Sequence, residues 1–158
     1  MSIREQKKQL RHTIITRLEA AGPENLRDES AMISDLLLAL PAWDSAKTIF
    51  AFLSMDNEVD TFEIIGRALS AGKQLGVPRM HGDEIKFHLI DSTDGPWDLH
   101  PYGIREPQLR FPTADYAKDE LYPLLVVTPG VAFDLNGRRL GHARADRPTL
   151  LPILRMKV

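Results

Sequence analysis

The 158-residue chain contains no cysteine. That absence excludes disulfides, thiolate nucleophiles, zinc sites built on sulfur and iron–sulfur clusters. Long apolar runs are also missing. The most apolar stretch, residues 121–133, is interrupted by Pro123, Thr128, Pro129 and Gly130 and is too short to cross a bilayer. The first ten residues carry Arg4, Lys7 and Lys8 with no apolar segment behind them, unlike a secretory leader. Excess charge of one sign is scarce: 20 Lys and Arg stand against 22 Asp and Glu, a formal charge of −2. The chain as a whole therefore lacks the basic surplus of a nucleic-acid binder. None of the five histidines has the spacing of a metal-binding helix, and there is no P-loop, no dinucleotide-binding glycine fingerprint and no serine nucleophile elbow. Repeats and low-complexity tracts are absent as well. The expectation is a cytoplasmic, single-domain protein over residues 1–158, with neither nucleic acid nor membrane as a partner.

What is present is enough apolar material for a core, 43% of residues, and a clear change of pattern along the chain. Ile3, Leu10, Ile14, Leu18 and Ala21 recur near helical spacing, and Gly22-Pro23 ends that run. A second helix follows from Pro23 or Glu24 to Leu40, stopped by Pro41. The next segment, Thr48 to Leu53, is β-branched, aromatic and continuous, the composition of a buried strand. Asp60 caps a helix over residues 61–71, closed by Gly72, and residues 74–77 form a strand ended by Pro78. This strand–helix–strand unit predicts a parallel crossover. Further strands are expected at 84–90, 124–128 and 131–133, with a long loop over 91–118 and a tight turn at Asn136-Gly137. The fold class is α/β, a three-layer domain with a mostly parallel sheet flanked by helices and two N-terminal helices.

Three places hold residues suited to chemistry. On the first helix, Lys7 and Arg11 share the stripe of Leu10, Ile14 and Leu18. Cations in an apolar stripe either snorkel at the rim of the core or point inward at an anionic ligand. After the first strand comes the acidic loop Ser54–Asp60, where open α/β sheets bind ligands; Glu58 can accept hydrogen bonds from a heterocycle, while Asp60 is spent as a cap. The third place is the arginine-rich run from Asn136 to Arg147. Residues 137–158 carry six Lys and Arg against Asp146, net +5, which leaves −7 for the rest. Clustered guanidinium groups after a turn suit a phosphate clamp, or equally a solvated basic tail. Arg79, after Pro78, is open between a structural and a ligand-binding role.

Taken in order, Lys7-Lys-Gln-Leu-Arg11, Phe52-Leu-Ser-Met-Asp-Asn-Glu58-Val-Asp-Thr61, Gly72-Lys73, Val77-Pro-Arg79, Tyr102-Gly-Ile-Arg-Glu-Pro107, Pro129-Gly-Val-Ala-Phe-Asp134 and Gly137-Arg-Arg-Leu-Gly141 resemble the 5-formyltetrahydrofolate cyclo-ligase family. The resemblance covers roughly residues 4–142. It implies a NagB/RpiA/CoA-transferase-like fold and ATP- and Mg²⁺-dependent conversion of 5-formyltetrahydrofolate to 5,10-methenyltetrahydrofolate. It also implies that Lys7, Arg11, Arg139, Leu140, Gly141 and His142 hold ATP. Leu53, Glu58 and His142 would line the folate site, Arg139 and Arg144 would act in catalysis, and Asp146 would be the Mg²⁺ ligand. Phosphorylating the poorly leaving formyl oxygen lets a second folate nitrogen displace phosphate. The chain departs from the family after Gly141: Ala143 and Ala145 replace glycines whose backbone should wrap phosphate, and Pro148 and Pro152 interrupt the helix expected next. The C-terminal part of the family domain is expected to be missing. Slow turnover, or a decayed folate- or nucleotide-binding scaffold, is the corresponding expectation. The protein is expected to be a monomer, with self-association through an uncovered sheet edge as the alternative.

Overall fold

The computed structural model describes residues 1–141. Helix α1 (Ile3–Leu38) starts at Ser2, whose hydroxyl accepts from the Glu5 N–H while the Glu5 carboxylate accepts from the Ser2 N–H. These bonds hold the Glu5 carboxyl below its ordinary range. At Gly22 the backbone leaves helical geometry (φ 82°, ψ 167°), and Pro23 restarts the helix. The two helices expected from Gly22-Pro23 are thus the two arms of one kinked element. A short helix α2 (Pro41–Ser45) leads into the sheet.

Strand β1 (Thr48–Phe50), helix α3 (Phe62–Ser70) and strand β2 (Gln74–His81) form the parallel crossover. β1 also pairs in parallel with β6 (Leu124–Val126), and β2 pairs antiparallel with β3 (Glu84–Ile90). The order is β3-β2-β1-β6, so two of its three pairings are parallel. The sheet is mostly parallel, as expected. Two details differ. The ladder of β1 stops at Phe50, three residues early, and β2 runs four residues past Val77 with Pro78 inside it. Gly76 and Met80 both direct backbone groups toward the β1 side: Gly76 O accepts from Ala51, and Met80 N donates to Glu106. Pro78 lies between them on that same side, beyond the end of β1, where a strand needs no N–H.

Alternation along β1 divides the core. Ile49 and Ala51 pack with Ile64, Ile65 and Ala68 of α3 and with Leu75 and Val77, all fully or nearly fully buried. Burying one such isoleucine contributes about 1.5–3 kcal/mol. Phe50 faces the opposite side and stacks on Phe87, with centroids 4.2 Å apart and planes 11° apart. Gly76 is required here, because a Cβ at that position would lie 2.5 Å from the Phe50 ring. Among the described residues, this second face is covered mainly by the 111–122 segment through Ala114, Tyr116, Leu121 and Tyr122, with a single 3₁₀ turn at Asp119–Leu121. The long loop is not structureless either. It holds a small hairpin of β4 (Asp98–Leu99) and β5 (Arg105–Glu106). The strand expected at 131–133 is β7 (Ala132–Phe133), which pairs with β8 (Arg139–Leu140) in a separate hairpin outside the main sheet.

Candidate active site

Beyond the carboxyl end of β1 the chain makes a loop closed at its base. Ser54 N–H donates to Thr61 Oγ1 (3.2 Å), Thr61 N–H donates to Ser54 Oγ (3.2 Å), and Thr61 Oγ1 donates to Phe52 O (2.6 Å). The N-cap of α3 is Thr61 rather than the expected Asp60; because the Thr61 hydroxyl is turned to Phe52 O, Asp60 Oδ1, one residue earlier, accepts from Phe62 N–H at 2.8 Å and satisfies a donor at the start of α3. Two neighbours hold the loop from outside. Asp60 N–H donates to Ser30 Oγ of α1 (3.0 Å), and Arg105 Nη2 donates to Ser54 O (2.7 Å). Between these walls lies a cleft of about 450 Å³, lined by Pro23, Leu26 and Ser30 on one side, Phe62 and Arg105 on the other, and the loop with Glu58.

Glu58 is half-buried, and its Oε2 accepts from Met55 N–H at 3.0 Å. Leu53 is 3% exposed and packs in the core beneath the loop. Glu58 thus lines the cleft, whereas the Leu53 side chain supports its floor.

The other candidate residues gather where α1 meets the β7–β8 hairpin. Asp134 shapes that hairpin's turn: its Oδ1 accepts from Asn136 N–H (2.9 Å) and Arg138 N–H (2.8 Å), and Gly137 takes φ 76°. Arg11, 7% exposed, donates from Nε to Gly141 O at 2.7 Å, so its inward phase on the helix is real and its target lies 130 residues away. Arg139 is exposed and donates from Nη1 to Pro129 O at 2.7 Å. Leu140 is half-buried. Lys7, one turn before Arg11, is exposed, so the expected inward pair reduces to Arg11. The stripe around it is not buried as the spacing suggested: Leu10 is 50% and Leu18 38% exposed, and only Ile14 and Ile15 are half-buried. His142, Arg144 and Asp146 lie outside the described residues. Among the described residues no group of three His, Asp or Glu could hold a metal ion.

Sequence reasoning left Arg79 open, and the structure gives it partners within the protein. Its Nη1 donates to Asp98 Oδ2 (2.6 Å) and Pro107 O (2.7 Å), and buried Glu106 lies 3.9 Å away. Two groups escaped notice. Arg105 meets a backbone carbonyl 51 residues distant, and no periodicity signals such a contact. On the β2–β3 hairpin, His81 Nε2 and His88 Nε2 approach to 2.8 Å, and His88 Nδ1 lies 2.7 Å from Phe111 O. A carbonyl only accepts, so His88 carries its proton on Nδ1 and its Nε2 accepts from His81. Burial lowers the His81 pKa from its ordinary value; His88, Lys86 and Arg79 act in the same direction, and Glu106 opposes them.

No helix of the described residues is long and apolar enough to cross a membrane. A sequence profile described as the 5-formyltetrahydrofolate cyclo-ligase family matches residues 3–145. The 5-formyltetrahydrofolate cyclo-ligase of Mus musculus is 26% identical over 163 residues, which cover 96% of this chain and 76% of that protein. The enzyme of that name from Escherichia coli is 30% identical over 131 residues, covering 79% of this chain and 68% of its own length. The NMR structure of Aquifex aeolicus 5,10-methenyltetrahydrofolate synthetase superposes with a TM-score of 0.71 at 27% identity, over 85% of this chain and 66% of that one. These names are those of an enzyme family that converts 5-formyltetrahydrofolate to 5,10-methenyltetrahydrofolate. The profile spans almost the whole chain, from the first turn of α1 past the β7–β8 hairpin, and the chain belongs to the 5-formyltetrahydrofolate cyclo-ligase family.

Proposed function

We propose that this chain binds 5-formyltetrahydrofolate in the cleft beside Glu58 and ATP between α1 and the β7–β8 hairpin, and that it closes the folate to its 5,10-methenyl form with slow turnover. The observation that carries this reading is the Arg11–Gly141 bond, which joins the basic first arm of α1 to the Arg139–Gly141 segment. Arg11 brings its positive charge to this segment, and Arg139 spends one N–H on a backbone carbonyl, so its guanidinium fork suits phosphate oxygens as well. Lys7, exposed on the adjoining turn, adds a point charge for the same anion.

In this reading ATP phosphorylates the formyl oxygen and is released as ADP, the second folate nitrogen attacks the activated carbon and gives up its proton, and phosphate leaves with the former formyl oxygen. Glu58 holds the heterocycle, and the cations offset charge during phosphoryl transfer. Asp146 would help to hold the Mg²⁺ that accompanies ATP, which would offset phosphate charge, and Arg144 and His142 would serve the same nucleotide; all three lie outside the described residues. The domain, over residues 1–158, is a three-layer fold of the NagB/RpiA/CoA-transferase-like type, acting as a cytoplasmic monomer. Slow turnover follows from Ala143 and Ala145, where glycine would let backbone N–H groups close on phosphate.

Titration calorimetry with each ligand, paired with absorbance of the methenyl product, tests the proposal. Binding of both ligands with slow product formation is the expected result. Folate binding without ATP binding would favour the decayed scaffold, and no binding of either would overturn the reading.

A further inference from the structure

We propose that Arg105 is a positioning residue for the reduced-folate cleft, acting through the loop that carries Glu58. The inference rests on the reading of that cleft as the folate site. Adjacent residues of a strand point to opposite sides, and β5 uses both. On one side Glu106, 5% exposed, accepts from Met80 N–H at 2.9 Å, and Arg79 donates to Pro107 O at 2.7 Å. These bonds fix β5 against β2. On the other side Arg105, in the cleft wall, donates from Nη2 to Ser54 O at 2.7 Å and lies 4.6 Å from the centroid of the Phe62 ring. A planar cation over an aromatic face, with one N–H committed to a carbonyl, has little rotational freedom.

The loop is therefore tied to both walls: to α1 through Ser30 and to β5 through Arg105. Its base is already closed by the Ser54–Thr61 pair, so Arg105 is not needed to form the loop. What Arg105 adds is the placement of the loop's first residues, and hence of the turn in which Glu58 caps Met55 N–H, relative to the far wall. A ligand gripping Glu58 and that wall together senses this spacing.

The test is a double-mutant cycle on the dissociation constant of 5-formyltetrahydrofolate, using the full chain and titration calorimetry. Arg105→Met should weaken binding about tenfold, the loss typical of one charge-assisted hydrogen bond. Glu58→Gln should weaken it by a similar factor. If Arg105 acts through Glu58, the double variant binds about as weakly as Glu58→Gln alone, whereas independent sites multiply to about a hundredfold. Arg105→Lys, which retains the charge and a donor, should recover most of the affinity. ATP affinity should stay unchanged in every variant. Where Arg105→Met fails to fold, Arg105→Gln takes its place, with a smaller loss and the same lack of additivity. Multiplicative losses, or an unaltered constant in Arg105→Met, overturn the role of Arg105. If Glu58→Gln binds folate as the unmodified chain does, the cleft assignment itself fails, and the two failures are distinct.

Discussion

Replacing Glu58 by glutamine separates the charge of this side chain from its structural bond. In the folded protein Glu58 Oε2 accepts from Met55 N–H at 3.0 Å. A glutamine carbonyl oxygen can accept the same bond, so the turn survives, and Glu58→Gln should melt higher than Glu58→Ala. A ligand donor that met a carboxylate would now meet a neutral oxygen. Hydrogen bonds to charged groups contribute about 1.5–3 kcal/mol and neutral ones about 0.5–1.5 kcal/mol. The difference, about 1–1.5 kcal/mol, corresponds to a roughly 5- to 13-fold rise in Kd for 5-formyltetrahydrofolate. Glu58→Ala also leaves Met55 N–H without its acceptor, and should lose stability as well as affinity. Calorimetric titration of each variant, beside a thermal melt, checks both halves. An unchanged Kd in Glu58→Gln, or an equal loss of ATP affinity, would refute the assignment of this carboxylate to the folate.

Three further perturbations have defined outcomes. Gly76→Ala puts a methyl 2.5 Å from the buried Phe50 ring and should cost about 1–3 kcal/mol, read as a melting temperature lower by about 2–12 °C; a melt within a degree of the unmodified chain would contradict the packing. Arg11→Met removes at least the bond to Gly141 O, so stability should fall, and ATP affinity should fall while folate affinity holds; calorimetric titration beside a melt reads both, and unchanged ATP affinity would count against the assignment. For His81, the unfolded chain takes up a proton near the ordinary imidazole value of 6.5 and the folded chain only below it, so stability falls as pH drops through that window. His81→Asn should flatten this part of the curve of urea midpoint against pH, and an unaltered slope as pH falls below the ordinary imidazole value would count against the histidine pair.

The parts of this protein that were legible in its sequence are those governed by local periodicity. Gly22-Pro23 marked the kink of α1, and residues 48–77 revealed the crossover, because backbone chemistry and strand composition act over a few residues. The phase of Arg11 was readable for the same reason. Lys7, expected to be its twin, is exposed, since the depth of a helix stripe depends on what packs above it, which its own residues do not reveal. Pro78 was read as a stop, yet β2 passes through it because β1 has already ended on that side. The antiparallel pairing of β3 carried no signal in its own residues. The cleft was half legible: Glu58 stands in a quotable motif, while Ser30 and Arg105 join the loop from 30 and 51 residues away.

The reciprocal Ser54–Thr61 bonds have a bearing on how such a protein can change over time. They fasten the two ends of the loop to each other, independently of what lies between. Residues 55–59 therefore form a replaceable cassette on a fixed socket. Substitutions there change the lining of the cleft while the register of β1 and the first turn of α3 stay fixed by the socket. Ser54 and Thr61 themselves have no such latitude, because each serves the other as both donor and acceptor.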